Sequence, residues 1–524
     1  MTGSLTPASL GRLLGSWNAG TSPAYRELAD VVRLLILDGR NGLDVALPSE
    51  RSLAGTLGIS RTTVTAAYAL LREQGYLSGG QGSRSRSRIP ARGAHPLETG
   101  RRLSGAPGIA APEGVLDLAY ASLPASGEVV HRAFAAALTE LPALLPGFGY
   151  DALGVAPLRE AIADRYTAAG VPTTADQVLV TSGAQHALTI VLRTLAGRSG
   201  KVLVEHPSYP NALDAIRAAG CRAVPVAMPV AAGDAAAWGE SGGPGSSGGP
   251  GTSSVPDTGP GIGSASNPGW DLEAMEAALL QQRPAMAYVV PDFHNPTGRL
   301  MPDAQRRRLA AAAAASGTVL VADETLRELN LDGLPSTPMA AFSPSVVTIG
   351  SLSKSHWAGL RVGWIRAAEP LIQRFAAART VLDLGGPVVE HLAAAHLVRD
   401  LNEPLPARLE SLRTNRDVLL DLIARHLPDW RAERPVGGLS VWCRLPAPVS
   451  TGLAVVAPDV GLRLAAGPRF GVGGAFDQFL RLPFTLPPGQ LETAVLSLRE
   501  AQDRLDRSPQ LRRPVAPGPS AAIA

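Results

Sequence analysis

Lysine occurs only twice in this chain, at Lys201 and Lys354, although lysine and arginine together number 48. Arginine stands at nearly every basic position, yet Ser351-Leu-Ser-Lys-Ser-His-Trp-Ala-Gly-Leu-Arg-Val-Gly-Trp364 keeps a lysine. A guanidinium replaces an ammonium as a surface charge, but it cannot lose a proton and condense with an aldehyde. A lysine among two serines, a glycine and an arginine therefore reads as the amine that forms a Schiff base with pyridoxal phosphate. Ser351, Ser353 and Arg361 then serve as phosphate ligands. Lys201 lacks such neighbours and reads as an ordinary surface charge.

Further polar residues follow short apolar runs in a fixed alternation. Val178-Leu-Val leads to Thr181-Ser-Gly-Ala, where Ser182 and the backbone N–H groups of Gly183 and Ala184 open a helix and suit a phosphate. Val202-Leu-Val-Glu leads to His206-Pro-Ser-Tyr-Pro210, whose Tyr209 can stack on a pyridine ring. Met286-Ala-Tyr-Val-Val290 leads to Asn295, a partner for the phenolic oxygen. Val319-Leu-Val-Ala322 leads to Asp323, placed to keep the ring nitrogen protonated, and Val346-Val-Thr-Ile349 leads to Lys354. Apolar runs alternating with helical segments predict an α/β fold with a buried, mostly parallel sheet that gathers ligands at its carboxyl ends. Alone, each residue has a plain alternative, since Asn-Pro-x-Gly is a common turn and an aspartate after a strand often caps a helix. Together and in this order they point to one cofactor.

The N-terminal region carries a different chemistry. Between Arg51 and Arg92 stand seven arginines and one acidic residue, Glu73, within a chain of net charge only +3. Such a block is the electrostatic footprint of a nucleic-acid module, although a solvated charge run has the same charge. Tyr25, Leu28, Val32 and Leu35/Ile36 make one face of a helix over Ala24–Leu37. Leu47–Ala54 starts a second helix behind Ser49, with Leu53 and Leu57 inward. Gly58-Ile-Ser forms the turn, and Ser60 caps a third helix, Arg61–Glu73, with Val64, Ala67, Tyr68 and Leu71 inward. Gly75-Tyr-Leu-Ser-Gly-Gly-Gln-Gly-Ser-Arg then suits a tight hairpin. In a helix-turn-helix the first turn of the second helix faces base edges, which assigns Arg61, Thr62 and Thr63 to readout. Arg51 and Arg72 become phosphate contacts. A helical protein-interaction module is the alternative.

At 524 residues, two folded units with linkers are expected. Residues 1–88 form the first and 114–505 the second. Between them, 89–113 reads as a flexible linker. Residues 230–269 read as a disordered Gly/Pro/Ser-rich insertion, and 506–524 as a disordered tail. Two distant cysteines, Cys221 and Cys443, argue against a disulfide framework or a zinc site. The sequence shows neither a signal-peptide pattern nor a bilayer-length apolar run, so a cytoplasmic protein without a membrane partner is expected.

These motifs carry two resemblances. Leu47-Pro-Ser-Glu-Arg-Ser-Leu-Ala54, Ser60-Arg-Thr-Thr-Val64 and Gly75-Tyr-Leu77 resemble the winged-helix domain of GntR-type regulators. The hairpin would be the wing, with Gly82 in a Gly-Ser-Arg-Ser that departs from the family's Gly-Ser-Gly-Thr. Over roughly Gly114 to Arg504, the cofactor motifs with Gly147-Phe-Gly-Tyr-Asp-Ala-Leu-Gly and Leu158-Arg resemble fold-type-I aminotransferases. That resemblance implies that Arg481, in Phe479-Leu-Arg-Leu-Pro-Phe484, binds a carboxylate; a structural arginine is the alternative. It also implies a tyrosine two or three residues after Asp323, where this chain has Thr325 and Leu326. The fusion resembles MocR-type regulators. It implies a homodimer on double-stranded DNA whose effector is an amine, an amino acid or pyridoxal phosphate itself. Two alternatives are a working aminotransferase with an accessory DNA-binding domain and a scaffold that binds no cofactor.

Overall fold

The computed structural model describes residues 4–15, 17, 23–37, 45–79, 85–88, 114–229, 269–400 and 404–507. The expected linker, nearly all of the expected insertion, the tail from 508 onward and Gly82 lie outside the described residues.

Near the N-terminus, helices α1 (Pro7–Leu14), α2 (Ala24–Leu37), α3 (Glu50–Leu57) and α4 (Arg61–Glu73) enclose one apolar core. The expected inward residues Leu28, Val32, Leu35, Ile36, Leu53, Val64, Ala67, Tyr68 and Leu71 are all buried, while Tyr25 and Leu57 pack at its margin. Ser49 and Ser60 cap α3 and α4 by accepting from the backbone N–H of Ser52 (3.2 Å) and Thr63 (3.1 Å). Such a cap stabilises a helix by about 1 kcal/mol. Gly58 ends α3 at φ 65°, a left-handed geometry that glycine adopts without a steric penalty. The hairpin pairs Leu77 with Ser87 and Ser78 with Arg86, antiparallel. Helix α1 was not expected; Thr6 caps it, and its Leu10 and Leu14 close the core beside α3.

The second unit holds a seven-stranded sheet: β1 (Val178–Thr181), β2 (Lys201–His206), β3 (Arg222–Ala227), β4 (Met286–Val289), β5 (Val319–Asp323), β6 (Val347–Ser351) and β7 (Gly363–Arg366). Its spatial order is β1-β7-β6-β5-β4-β2-β3, parallel except for β7, which runs antiparallel to β1 and β6. Successive residues feed cores on opposite faces: Leu203, Ala287, Val289, Leu320 and Ala322 lie in one, and Val202, Val204, Met286, Tyr288 and Val321 in the other. Burial on both faces accounts for the nearly continuous apolar runs. Strands β3 and β7 escaped the sequence reading because Pro225 interrupts the first and only Trp364 and Ile365 stand between Gly363 and Arg366 in the second.

A smaller lobe carries Ser440–Arg444 paired antiparallel with Phe479–Pro483, and a separate core contributed largely by helices Leu405–His426 and Pro488–Asp506. The segment after Gly114 joins this lobe by pairing Leu116 with Leu462. Helix α2 rests against the lobe's helix Ser450–Val456, which puts the two units in contact. Among the described residues, no helix is long and apolar enough to cross a membrane.

Candidate cofactor site and nucleic-acid interface

The turn after β6 presents Lys354. Its Nζ donates to Ala121 O at 2.7 Å, a carbonyl on the segment that leads out of the small lobe. Burial, reinforced by the Arg481 guanidinium and opposed by Asp323, lowers its pKa to about 8. A larger neutral fraction suits an amine that must attack a carbonyl. Lys201 donates instead to Gln282 O and Oε1, at 3.1 and 3.2 Å. That is a structural role.

Asp323 ends β5 and is buried. Its Oδ1 accepts from Thr325 N (3.1 Å) and its Oδ2 from the Tyr288 hydroxyl (2.7 Å). Burial raises its pKa, and those hydrogen bonds work against the rise. Tyr209 precedes helix Pro210–Ala218, and its hydroxyl accepts from Asn211 Nδ2 at 2.9 Å. Burial and then the Asp323 charge raise its pKa, while Arg481 and Arg361 act in the other direction. Lys354, Asp323, Tyr209, Arg361 and Arg481 thus lie close enough to act on one another's charge.

On the phosphate side, Gly183 opens helix Ala184–Val191 with no side-chain cap, at φ 94°. The first-turn N–H groups of a helix have no partner within it. Arg361, itself at φ 53°, donates to Ser182 O at 2.8 Å and lies so close that a Cβ on Gly183 would sit 2.8 Å from its Nη2. Ser182, Gly183, Ala184 and Arg361 thus form a cradle that any side chain at 183 would fill, although the Gly183 N–H, expected as a phosphate donor, is committed to Thr181 O at 2.8 Å. The Ser351 hydroxyl donates to Val362 O (3.0 Å) and accepts from Ser353 N (3.1 Å). It braces the lysine turn, which the sequence reading did not assign to it.

Two polar atoms in the site find no hydrogen-bond partner among the described residues: Asn295 Oδ1 and Arg481 Nε. Arg481 is 5% exposed, donates to Ala119 O through Nη2, and stands 5.2 Å over the Phe470 ring. Burial lowers its pKa to about 10. A buried guanidinium with donor capacity to spare matches a carboxylate ligand. The open cradle, the unpartnered amide oxygen and the aspartate–lysine pair together fit pyridoxal phosphate. Thr325 supplies Asp323 with a backbone donor, and Leu326 is buried in the small-lobe core, so neither replaces the missing tyrosine. Tyr288, by contrast, went unread as a site residue. Its signal was alternation: Tyr288 pairs with Val321 across the sheet, so Asp323, two residues on, shares its face.

On α4, Arg61 and Thr62 are exposed, and Thr63 is half-buried. The hydroxyls of Thr62 and Thr63 lie 2.7 and 2.8 Å from Ser60 Oγ, which presents the first turn as a rigid unit. Arg51 is exposed on α3. Arg72 is committed within the domain, 3.3 Å from Glu50 Oε1 and donating to Ser85 Oγ at 2.9 Å. It ties α3 and α4 to the hairpin, a structural task that the expected phosphate role did not include.

The family model for aminotransferases of class I and II matches residues 149–234 and 262–498, and that for bacterial regulatory proteins of the gntR family matches 24–86. An uncharacterized HTH-type transcriptional regulator, YdfD of Bacillus subtilis, is 25% identical, covering 82% of this chain and 86% of its own. The probable rhizopine catabolism regulatory protein MocR of Rhizobium meliloti is 26% identical over 78% of each chain. Among solved structures, LysN, the α-aminoadipate aminotransferase of Thermus thermophilus complexed with N-(5'-phosphopyridoxyl)-L-leucine, is similar with a TM-score of 0.63. It is 27% identical, covering 75% of this chain and 94% of the other.

Proposed function

This chain belongs to the class I and II aminotransferase family and carries a gntR-family regulatory domain at its N-terminus, and from that premise we propose a pyridoxal-phosphate-dependent, DNA-binding transcription regulator. One observation carries the reading: an exposed Arg61–Thr62 turn and a cofactor constellation around Lys354 stand on one polypeptide. When bound, the cofactor supplies an aldehyde carbon that takes up an amine and a ring that draws electrons from it. Lys354 presents the amine. Asp323 holds a proton at the ring nitrogen, Asn295 meets the phenolic oxygen, and Tyr209 covers the ring. The Ala184 N–H and Arg361 hold the phosphate, while Arg481 binds the carboxylate of an amino-acid effector.

Coupling needs a connection, and the contact of α2 with helix Ser450–Val456 offers one. Ser450 Oγ accepts from Gly467 N at 3.1 Å, in the turn whose Phe470 faces Arg481. An effector that favours one arrangement of this contact shifts the DNA-binding equilibrium by its difference in affinity. A homodimer is part of the proposal. Leu145, Phe148 and Tyr150 are 66%, 98% and 76% exposed, and Arg379 ties Ala152 to the segment bearing the exposed Val381 and Leu384. Large apolar side chains this exposed suit a second copy.

The test combines fluorescence anisotropy on operator DNA with absorbance of the cofactor-loaded protein, across a panel of amino acids and amines. The expected outcome is one amine that changes both signals. Amines that change the spectrum but never the DNA affinity would remove the regulator reading. The second reading, a working aminotransferase, draws on the intact Lys354, Asp323, Asn295 and Arg481 set. Without a tyrosine at 325 or 326, spectral change without steady product is expected. Turnover at about 1 s⁻¹ or faster, within the ordinary enzyme range, would favour the second reading.

A further inference from the structure

Asp323 meets two donors of this chain before any cofactor reaches it. Thr325 N occupies Oδ1 and the Tyr288 hydroxyl occupies Oδ2, with Tyr288 wholly buried between β2 and β5. Burial and the adjacent carboxylates raise the phenol's pKa far above its ordinary value, so it stays protonated and donates. The groups that face this pair are Tyr209, Glu205 and Lys354. Glu205 is itself held by Trp270 Nε1 (2.5 Å) and Val290 N (2.9 Å).

We infer that Tyr288 is a positioning residue for the cofactor's ring nitrogen: its phenol fixes the Asp323 carboxylate and draws charge from it, so that the nitrogen holds its proton less tightly than it would against an aspartate free of that bond. A hydrogen bond to an ionised acceptor stabilises the ionised form, which makes the carboxylate a weaker base and a weaker partner for the pyridinium. The ring then draws electrons from a captured amine less strongly. Capture persists while turnover falls. The inference rests on the reading of pyridoxal phosphate at Lys354.

Full-length wild type, Tyr288→Phe and Thr325→Val are loaded with pyridoxal phosphate carrying ¹⁵N in the ring, and the nitrogen chemical shift is followed against pH. In Tyr288→Phe the protonation midpoint is expected to rise by about one pH unit, a tenfold gain in proton affinity. Thr325→Val, which takes away the hydroxyl that helps hold the Asp323 pKa down, should move it in the same direction by less. A purely structural Tyr288 would lower the melting temperature and leave the midpoint in place, and that result overturns the inference. If Tyr288→Phe does not fold, the Thr325→Val shift decides: upward supports the role of donors to Asp323, unchanged overturns it. Equal midpoints in all three proteins overturn the inference and leave the cofactor reading standing. A wild type that takes up no cofactor overturns both.

Discussion

Arg61 and Thr62 reach the surface from one turn of one helix, whereas Asp323 and Arg481 lie buried on strands of two different sheets. The first pair is placed by a serine cap a residue or two away. The second is placed by the packing of two lobes, with Arg481 held by the Ala119 carbonyl on a segment far from both in sequence. The polar groups differ in the same way. On α4 the Arg61 side chain faces solvent, and the Thr62 hydroxyl is bonded only to the capping Ser60. In the cofactor site, donors and acceptors are committed to each other except for a few: Asn295 Oδ1, Arg481 Nε and the Ala184 amide that opens the helix after Gly183. A surface that reads DNA can therefore change without loss of fold, while the cofactor site and its two lobes are one structure.

The contrast breaks most visibly at Lys354. Replacing it with alanine is expected to abolish the cofactor label that borohydride fixes, measured by intact mass, with DNA affinity in the absence of effector retained. A fixed label in Lys354→Ala would place the amine elsewhere. Arg481→Ala comes next. Removing one partner of a buried charged pair costs about 2–5 kcal/mol, so binding of the responsive amino acid should weaken about 100-fold, read from spectral titration. An amine lacking a carboxylate should be unaffected.

Arg61→Ala sharpens the other side of the comparison. It should cost about 1–3 kcal/mol in operator binding and relax preference at one base pair, with the melting temperature unchanged because the side chain is exposed. Unaltered preference would remove Arg61 from the readout. The pH dependence is smaller still. Because the folded-state pKa of Lys354 is lowered to about 8 from an ordinary 10.5, the neutral amine dominates above pH 8. Cofactor uptake by the apoprotein should accelerate about tenfold per unit below pH 8 and level off above it. The same depression means that the unfolded chain binds more protons between those values, so this group's contribution to stability grows as pH rises from 8 to 10.5. Arg72→Ala should give the smallest effect. With the Ser85 hydroxyl left unbonded and Glu50 keeping only Thr65, stability should fall by about 1 kcal/mol on thermal melting, and operator affinity should drop only as far as the hairpin loosens. A large affinity loss with an unchanged melting temperature would restore Arg72 as a phosphate contact.

Much of this molecule was legible in its residues. Helices Ala24–Leu37 and Arg61–Glu73 announced themselves because capping and helical periodicity act within a few residues, and helix-turn-helix geometry follows from a short turn. Lys354 with its serine and arginine neighbours and the polar residues after the apolar runs named the cofactor, because each strand of a parallel sheet ends on the same edge. Other features depended on groups distant in sequence. Tyr288 looked like strand filler until pairing with β5 set its hydroxyl against Asp323. Arg72 looked like a free cation until the hairpin folded back to offer Ser85. The low pKa of Lys354 required Arg481 and a buried setting. The chemical identity of a side chain is carried by the sequence, but its protonation, its partners and its remaining capacity to bind depend on what the folded chain brings within hydrogen-bonding range and on how much water it removes.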